Sequence, residues 1–121
     1  MLQAVLPNYR DAPSSEHRVV DLVRLARMTL GDRALEREVL QLFVRQSRMV
    51  LEQLASAEAS RTRILAHTLK GSARSVGADR VAAAAELVEC ASSTGMAAAL
   101  TELRSTVSEA LSTIESLLGG E

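Results

Sequence analysis

The sequence predicts an all-α protein: an antiparallel up-and-down four-helix bundle with a short extra helix at its N-terminal end. Apolar residues recur at steps of three and four along most of the chain, which is the period of an amphipathic helix. Aromatic residues make up only 2% of the 121 residues, so the core must be built from small and aliphatic side chains. Such side chains suit close helix packing better than a β-sandwich. The predicted connections between the long helices have two to four residues, which favours antiparallel neighbours.

The N-terminal part of the chain is predicted to be a flexible arm, residues 1–15, followed by one folded domain, residues 16–121. The arm has no sustained hydrophobic period, and it contains Pro7, Pro13 and a pair of serines. The first helix begins at Arg18 or Asp21 and ends at Leu30, because Gly31 is a suitable C-terminal stop.

Four longer helices follow. Asp32 can cap the second helix, which extends to Ala57 or Glu58. Ser60 can cap the third helix, which ends at Gly77, and Asp79 can cap the fourth, which extends to about residue 92. The fifth occupies about residues 96–118. The second helix has the longest predicted apolar stripe, which consists of Leu35, Val39, Leu42, Phe43, Met49, Val50, Leu54 and Ala57.

Composition narrows the classes of function. The net charge of −1 argues against a general nucleic-acid binder, which is usually strongly basic. No stretch approaches the roughly 20 apolar residues of a membrane span, and the N-terminus lacks the basic start of a secretory signal. A cytoplasmic location is therefore expected. The single cysteine excludes an internal disulfide framework, and Cys90 is expected to be a small core residue.

The most informative residues lie on the third helix. Helical phasing places Leu65, Leu69, Ser72 and Val76 on its apolar side. The opposite side is predicted to face solvent. It carries His67 together with three cationic residues and one glycine, namely Arg63, Lys70, Arg74 and Gly71.

Taken singly, these residues have ordinary explanations. A lone histidine is usually a surface or satisfied core residue, and a lone lysine is a solvated charge. Glycine inside a helix costs about 1 kcal/mol relative to alanine, so Gly71 needs a compensating reason. Close approach of a partner's backbone to His67 would supply it. Together they indicate an exposed nucleophile that holds a phosphoryl group within reach of another protein.

The run His67-Thr68-Leu69-Lys70-Gly71-Ser72-Ala73, followed by Val76-Gly77-Ala78, resembles the core motif of histidine-containing phosphotransfer (HPt) domains. The resemblance extends over about residues 18–118. It implies an antiparallel helical bundle and reversible phosphoryl transfer between a receiver-domain aspartate and Nε2 of His67. It also implies that the chain needs no cofactor of its own, because Mg²⁺ and the acidic pocket belong to the receiver.

The resemblance and the helical phasing together suggest roles for other residues near His67. Lys70 is the best candidate for compensating the phosphoryl charge. Receiver docking is expected to use the surface around His67, including Arg63, Ile64, Arg74 and Ser75. Either Glu86 or Glu89 on the next helix could orient the imidazole, and helix phasing does not choose between them. The expected partners are response-regulator receiver domains and a hybrid histidine kinase, and a self-contained bundle favours a monomer.

Two other functions remain open. One is the dimerisation and phosphoacceptor part of a histidine kinase, a family that usually has an acidic or polar residue and an Arg-Thr-Pro-like run after its histidine. Here Thr68-Leu69-Lys70-Gly71 follows instead. The chain also has no Gly-rich nucleotide loop, so it is expected neither to bind ATP nor to phosphorylate itself. The other is a non-catalytic helical scaffold that binds receivers or other proteins without carrying phosphate.

Overall fold

A computed structural model describes residues 19–119, which form five α-helices and no strand. The helices are α1 Leu22–Met28, α2 Arg33–Leu54, α3 Ala59–Ser75, α4 Asp79–Cys90 and α5 Met96–Gly119. The predicted all-α class is therefore confirmed. The predicted arm, residues 1–15, lies outside the described residues. Between residues 19 and 119, no helix has both the length and the hydropathy needed to cross a bilayer.

The four long helices enclose a single core. Helix α3 packs most extensively on α4, α5 also packs on α4, and α2 contacts both α3 and α5. The core is almost entirely aliphatic, as the composition required, and Phe43 is its one aromatic member among the described residues. Its largest fully buried apolar side chains are Phe43, Leu25, Leu69, Leu103, Ile114, Val81, Val88 and Val107.

Two helices begin with a side-chain cap, and one of these caps, Asp32, was predicted. Asp21 accepts hydrogen bonds from the backbone N–H groups of Val23 and Arg24, at 3.1 and 3.2 Å, and so caps α1. Asp32 accepts the N–H of Leu35 at 3.0 Å and caps α2. Each cap satisfies helix N–H groups that would otherwise lack a partner.

The prediction of two other helix starts was wrong. The N-cap of α3 is Glu58, which makes no capping bond with its side chain, and Ser60 lies inside the helix. The N-cap of α4 is Ala78, and Asp79 lies in the first turn. The carboxylate of Asp79 is unavailable as a cap because it accepts two hydrogen bonds from Arg24 of α1, at 2.6 and 2.8 Å. Helices α2 and α4 also end earlier than predicted, at Leu54 and Cys90.

The apolar stripe of α2 is displaced from its predicted position. Leu35, Leu42 and Met49 are exposed, whereas Leu40, Val44 and Ser47 are buried. Leu42 and Met49 each precede a buried residue, and one residue is about 100° around a helix. The period alone could not fix which edge of the stripe faces the core. Cys90 is also exposed rather than buried, because it is the last residue of α4 and lies about 200° around the helix from buried Val88.

Helix α1 is attached to the connection between α3 and α4. The N–H of Asp21 donates to the carbonyl of Gly77 at 2.8 Å. Gly77 has φ of +79°, and a Cβ atom there would lie only 2.6 Å from the carbonyl oxygen of Asp21. Glycine is therefore required here both by its backbone conformation and by the close approach of α1.

Candidate functional site

The middle of α3 presents His67 to solvent. Its neighbours Leu65, Ala66 and Leu69 are buried in the core, which holds the opposite side of the helix inward. The side chain of His67 is 69% exposed. The outward orientation expected from helical phasing is therefore observed.

Glu89 of α4 joins two of the α3 side chains. Its Oε2 atom lies 2.6 Å from Nδ1 of His67, and its Oε1 atom lies 2.6 Å from Nζ of Lys70. The Lys70 ammonium, aided by the His67 imidazole, holds the pKa of the Glu89 carboxyl below its ordinary value of 4.5 against an opposing effect of burial. Glu89 is therefore ionised at neutral pH. The choice that phasing left open is resolved, because Glu86 pairs with Arg74 instead, at 3.3 Å.

The contact with Glu89 determines where the imidazole carries its hydrogen. An ionised carboxylate can only accept a hydrogen bond, so Nδ1 of His67 must donate one. A neutral imidazole has one N–H group, so its other nitrogen, Nε2, then carries a lone pair. Within residues 19–119 no hydrogen bond engages Nε2. In its neutral form, the ring therefore presents an unprotonated nitrogen away from Glu89.

The other predicted cations are less free than the sequence implied. Lys70 is only 17% exposed, because it lies at the boundary with α4 and pairs with Glu89. Arg63 is half-buried and donates to the backbone carbonyl of Ala91 at 2.6 Å. Arg74 is exposed and reaches Glu86. All three therefore contact α4 or its C-terminal cap, although Arg74 also remains exposed to solvent.

Gly71 lies in a gap on the exposed side of α3. A Cβ atom built at this position would meet nothing within 4 Å. Its carbonyl accepts a hydrogen bond from the hydroxyl of Ser75 at 3.1 Å. Packing among residues 19–119 therefore gives no reason for the glycine, and the described residues leave the space beside it open.

Helices α1, α2 and α3 carry exposed apolar side chains that are called the apolar edge, and of these the sequence prediction had singled out only Ile64 for docking. The edge consists of four exposed apolar side chains: Met28, Leu42, Met49 and Ile64. Gln53 contacts Arg61 at one end of the α2–α3 contact. Near the other end, Leu42, Met28 and Ser75 line one groove of about 260 Å³. The seven-residue spacing of Leu42 and Met49 was a signal of a shared face, but that face was assigned to the core.

Among the site residues expected from the sequence, the structure brings His67, Lys70 and Glu89 into direct contact. Gly71 lies one turn along α3 on the same exposed side, and Ile64 lies one turn before His67. Ser75 borders the apolar groove, whereas Arg63 and Arg74 lie on the opposite, charged side.

Comparison with known proteins gives one match. The model of the Hpt domain family matches residues 38–118, which is more than half of the chain. The curated proteins and the solved structures yield no match. The matched stretch includes all of α3 and α4, most of α2 and nearly all of α5.

Proposed function

Since this chain belongs to the Hpt domain family, whose members act in two-component phosphorelays with receiver domains, we propose that His67 is its phosphoacceptor. In this proposal His67 accepts a phosphoryl group from an aspartate of one receiver domain and passes it to another. The observation that carries the proposal is the contact between Glu89 and Nδ1, which leaves Nε2 unprotonated on an exposed ring.

The transfer step follows from that arrangement. The lone pair of Nε2 forms a bond to phosphorus while the acyl-phosphate P–O bond of the receiver breaks, and its electron pair leaves with the aspartate carboxylate. The hydrogen on Nδ1 stays, so the phosphorylated ring becomes a cation. Glu89, already hydrogen-bonded to Nδ1, compensates that charge. The reverse sequence returns the phosphoryl group to a receiver, which supplies the Mg²⁺.

Lys70 is proposed to stabilise the transferring group. Phosphoryl transfer passes through a loose transition state with charge spread over the equatorial oxygens, so nearby positive charge lowers the barrier. Lys70 lies one turn after His67, and its contact with Glu89 keeps the ammonium beside the imidazole. Catalysis here depends on placing charge, because the nucleophile needs no separate base.

Receiver docking is proposed to use the apolar edge together with the gap at Gly71. Exposed apolar side chains that cluster beside a reactive group are typical of a protein interface. Of the docking residues predicted from the sequence, Ile64 belongs to this edge and Ser75 borders its groove. Arg63 and Arg74 lie on the opposite side, toward α4, where Arg63 donates to the carbonyl of Ala91 and Arg74 pairs with Glu86.

Three further expectations stay proposals. The four long helices are proposed to run antiparallel in an up-and-down bundle. For α3 and α4 the contacts run in opposite order along the two helices, from Arg63–Ala91 through Lys70–Glu89 to Arg74–Glu86, which supports that arrangement. The chain is also proposed to work as a monomer and in the cytoplasm, where its receiver partners would meet it.

The decisive experiment supplies phosphoryl groups from two sources. The protein is incubated with a ³²P-labelled phosphorylated receiver, or with labelled ATP alone, and label that is acid-labile and base-stable is counted. We expect label from the receiver and none from ATP. The His67→Gln variant should lose the label, and its melting temperature should change little because the ring is exposed. The matched control Ser112→Ala, at an exposed position of α5, should be labelled normally.

Each other outcome identifies a different function. Label from ATP alone would indicate a kinase phosphoacceptor domain. Receiver binding without label would indicate a scaffold. Label that persists in His67→Gln would place the phosphoryl group elsewhere.

A further inference from the structure

The C-terminal end of α4 is weakly secured by its own sequence. The last turn of a helix leaves carbonyl groups without intrahelical partners, and a glycine cap or basic residues usually compensate. Helix α4 has neither, because its last turn contains no basic residue and its C-cap is Ala91 in an extended conformation. The single backbone hydrogen bond at this cap, from the N–H of Ala91 to the carbonyl of Val88, is long at 3.3 Å.

The carboxylate that orients His67 lies on this weakly secured turn. Glu89 is the penultimate residue of α4, and terminal turns open more readily than the interior of a helix. Opening of the turn would separate Glu89 from both His67 and Lys70. The hydrogen on Nδ1 would then lose the acceptor that holds it there.

Arg63 supplies the missing contact from outside the helix. Its Nη2 atom donates to the carbonyl of Ala91 at 2.6 Å, a short charge-assisted hydrogen bond. The guanidinium also places a positive charge at the negative end of the α4 dipole. Arg63 lies one turn before His67, so α3 contacts the end of α4 at three successive places, through Arg63, His67 and Lys70.

We propose that Arg63 is a positioning residue, which holds the last turn of α4 in place so that Glu89 keeps His67 in its Nδ1–H form. This inference rests on the proposed function of His67. It replaces the docking role that the sequence indicated for Arg63, since the side chain is half-buried and already bound. Arg63 acts through Glu89 and does not itself touch the reacting nitrogen.

The test compares Arg63→Met with Arg61→Met. Arg61 provides a matched control, because it lies on the same helix, is exposed and has only a 3.4 Å contact with Gln53. Two measurements need no receiver: amide hydrogen exchange in the last turn of α4, and the ¹⁵N chemical shifts of the His67 ring. A third measurement determines kcat and KM separately for phosphoryl transfer from a receiver.

We expect Arg63→Met to raise exchange in the last turn of α4 about tenfold, the factor for one lost hydrogen bond to a charged group. The ring shifts should show a smaller Nδ1–H population, and kcat should fall while KM stays constant. Arg63→Lys, which retains the charge and one donor, should restore part of each effect. Arg61→Met should change none of them.

Two outcomes would overturn the proposal. If Arg63→Met raises KM while the ring shifts stay normal, Arg63 is a docking residue. If exchange and ring shifts are both unchanged, α4 does not depend on it. Failure of the proposed function would be recognised separately. The wild-type protein would then carry no label, whereas hydrogen exchange and the ring shifts could still be measured and compared between variants.

Discussion

Two glycines of the same motif occupy opposite environments on and just after α3. Gly77 is crowded: its φ is positive, and a Cβ atom would come within 2.6 Å of the Asp21 backbone. Gly71 is helical, and a Cβ atom there would meet nothing within 4 Å. One glycine is required by the chain's own packing. Packing among residues 19–119 does not require the other, which lies one turn from His67, where our proposal places the approaching receiver. The sequence motif alone does not separate these two causes.

Substitution of Gly77 should produce the largest loss of stability. Gly77→Ala forces a side chain into a left-handed backbone conformation and against the backbone that begins α1, which together should lower the free energy of unfolding by roughly 3 kcal/mol. Urea unfolding followed by circular dichroism measures this loss. Protein that remains folded should still accept phosphoryl groups, since His67 is remote from the change. A stability equal to wild type would show that α1 does not approach Gly77 so closely.

Substitution of Gly71 should separate stability from transfer. Gly71→Ala should raise the free energy of unfolding by about 1 kcal/mol, because alanine is the better helix former and the space is open. Gly71→Gln should slow transfer from a phosphorylated receiver by roughly a hundredfold, because a longer side chain displaces the reacting groups.

The matched control for Gly71→Gln is Ser112→Gln, at an exposed helical position on α5. It should leave the transfer rate unchanged. If transfer were equally fast in Gly71→Gln, the open space beside His67 would have no part in docking, and the contrast between the two glycines would fail.

The smallest expected effect is a pH dependence of stability. It arises from Glu89, which pairs with His67 and Lys70 close to Gly71. The pKa of Glu89 is lowered in the folded protein by Lys70 and His67, so its contribution to stability is present above the ordinary value of 4.5 and is lost as pH falls through the folded value. The difference in unfolding free energy between wild type and Glu89→Gln should therefore be constant near neutrality. It should shrink below pH 4.5. A difference that grows on acidification would have the wrong sign.

Features that depend on local sequence could be predicted well. The cap at Asp32, the exposure of His67 and the buried stripe of α5 all follow from residues within one helix. For α5, the buried members Leu103, Val107, Leu111 and Ile114 recur at the steps of three and four from which the helices were predicted.

Features that depend on the rotation of one helix against another could not be predicted. Glu86 and Glu89 are one turn apart, and only the packing of α4 on α3 decides which of them meets His67. The exposure of Leu42 and the pairing of Asp79 with Arg24 have the same origin, because both depend on which helix lies opposite. The sequence therefore located the exposed histidine but did not decide which carboxylate contacts it.

In our proposal, the hydrogen bond to Glu89 keeps the hydrogen of the His67 ring on Nδ1, so that Nε2 receives the phosphoryl group. The most direct measurement is ¹⁵N and ³¹P NMR of the protein after phosphorylation by a receiver domain. We expect phosphorus coupled to Nε2 of His67, with the hydrogen retained on Nδ1. Phosphorus bonded to Nδ1, or found on any residue other than His67, would contradict the claim.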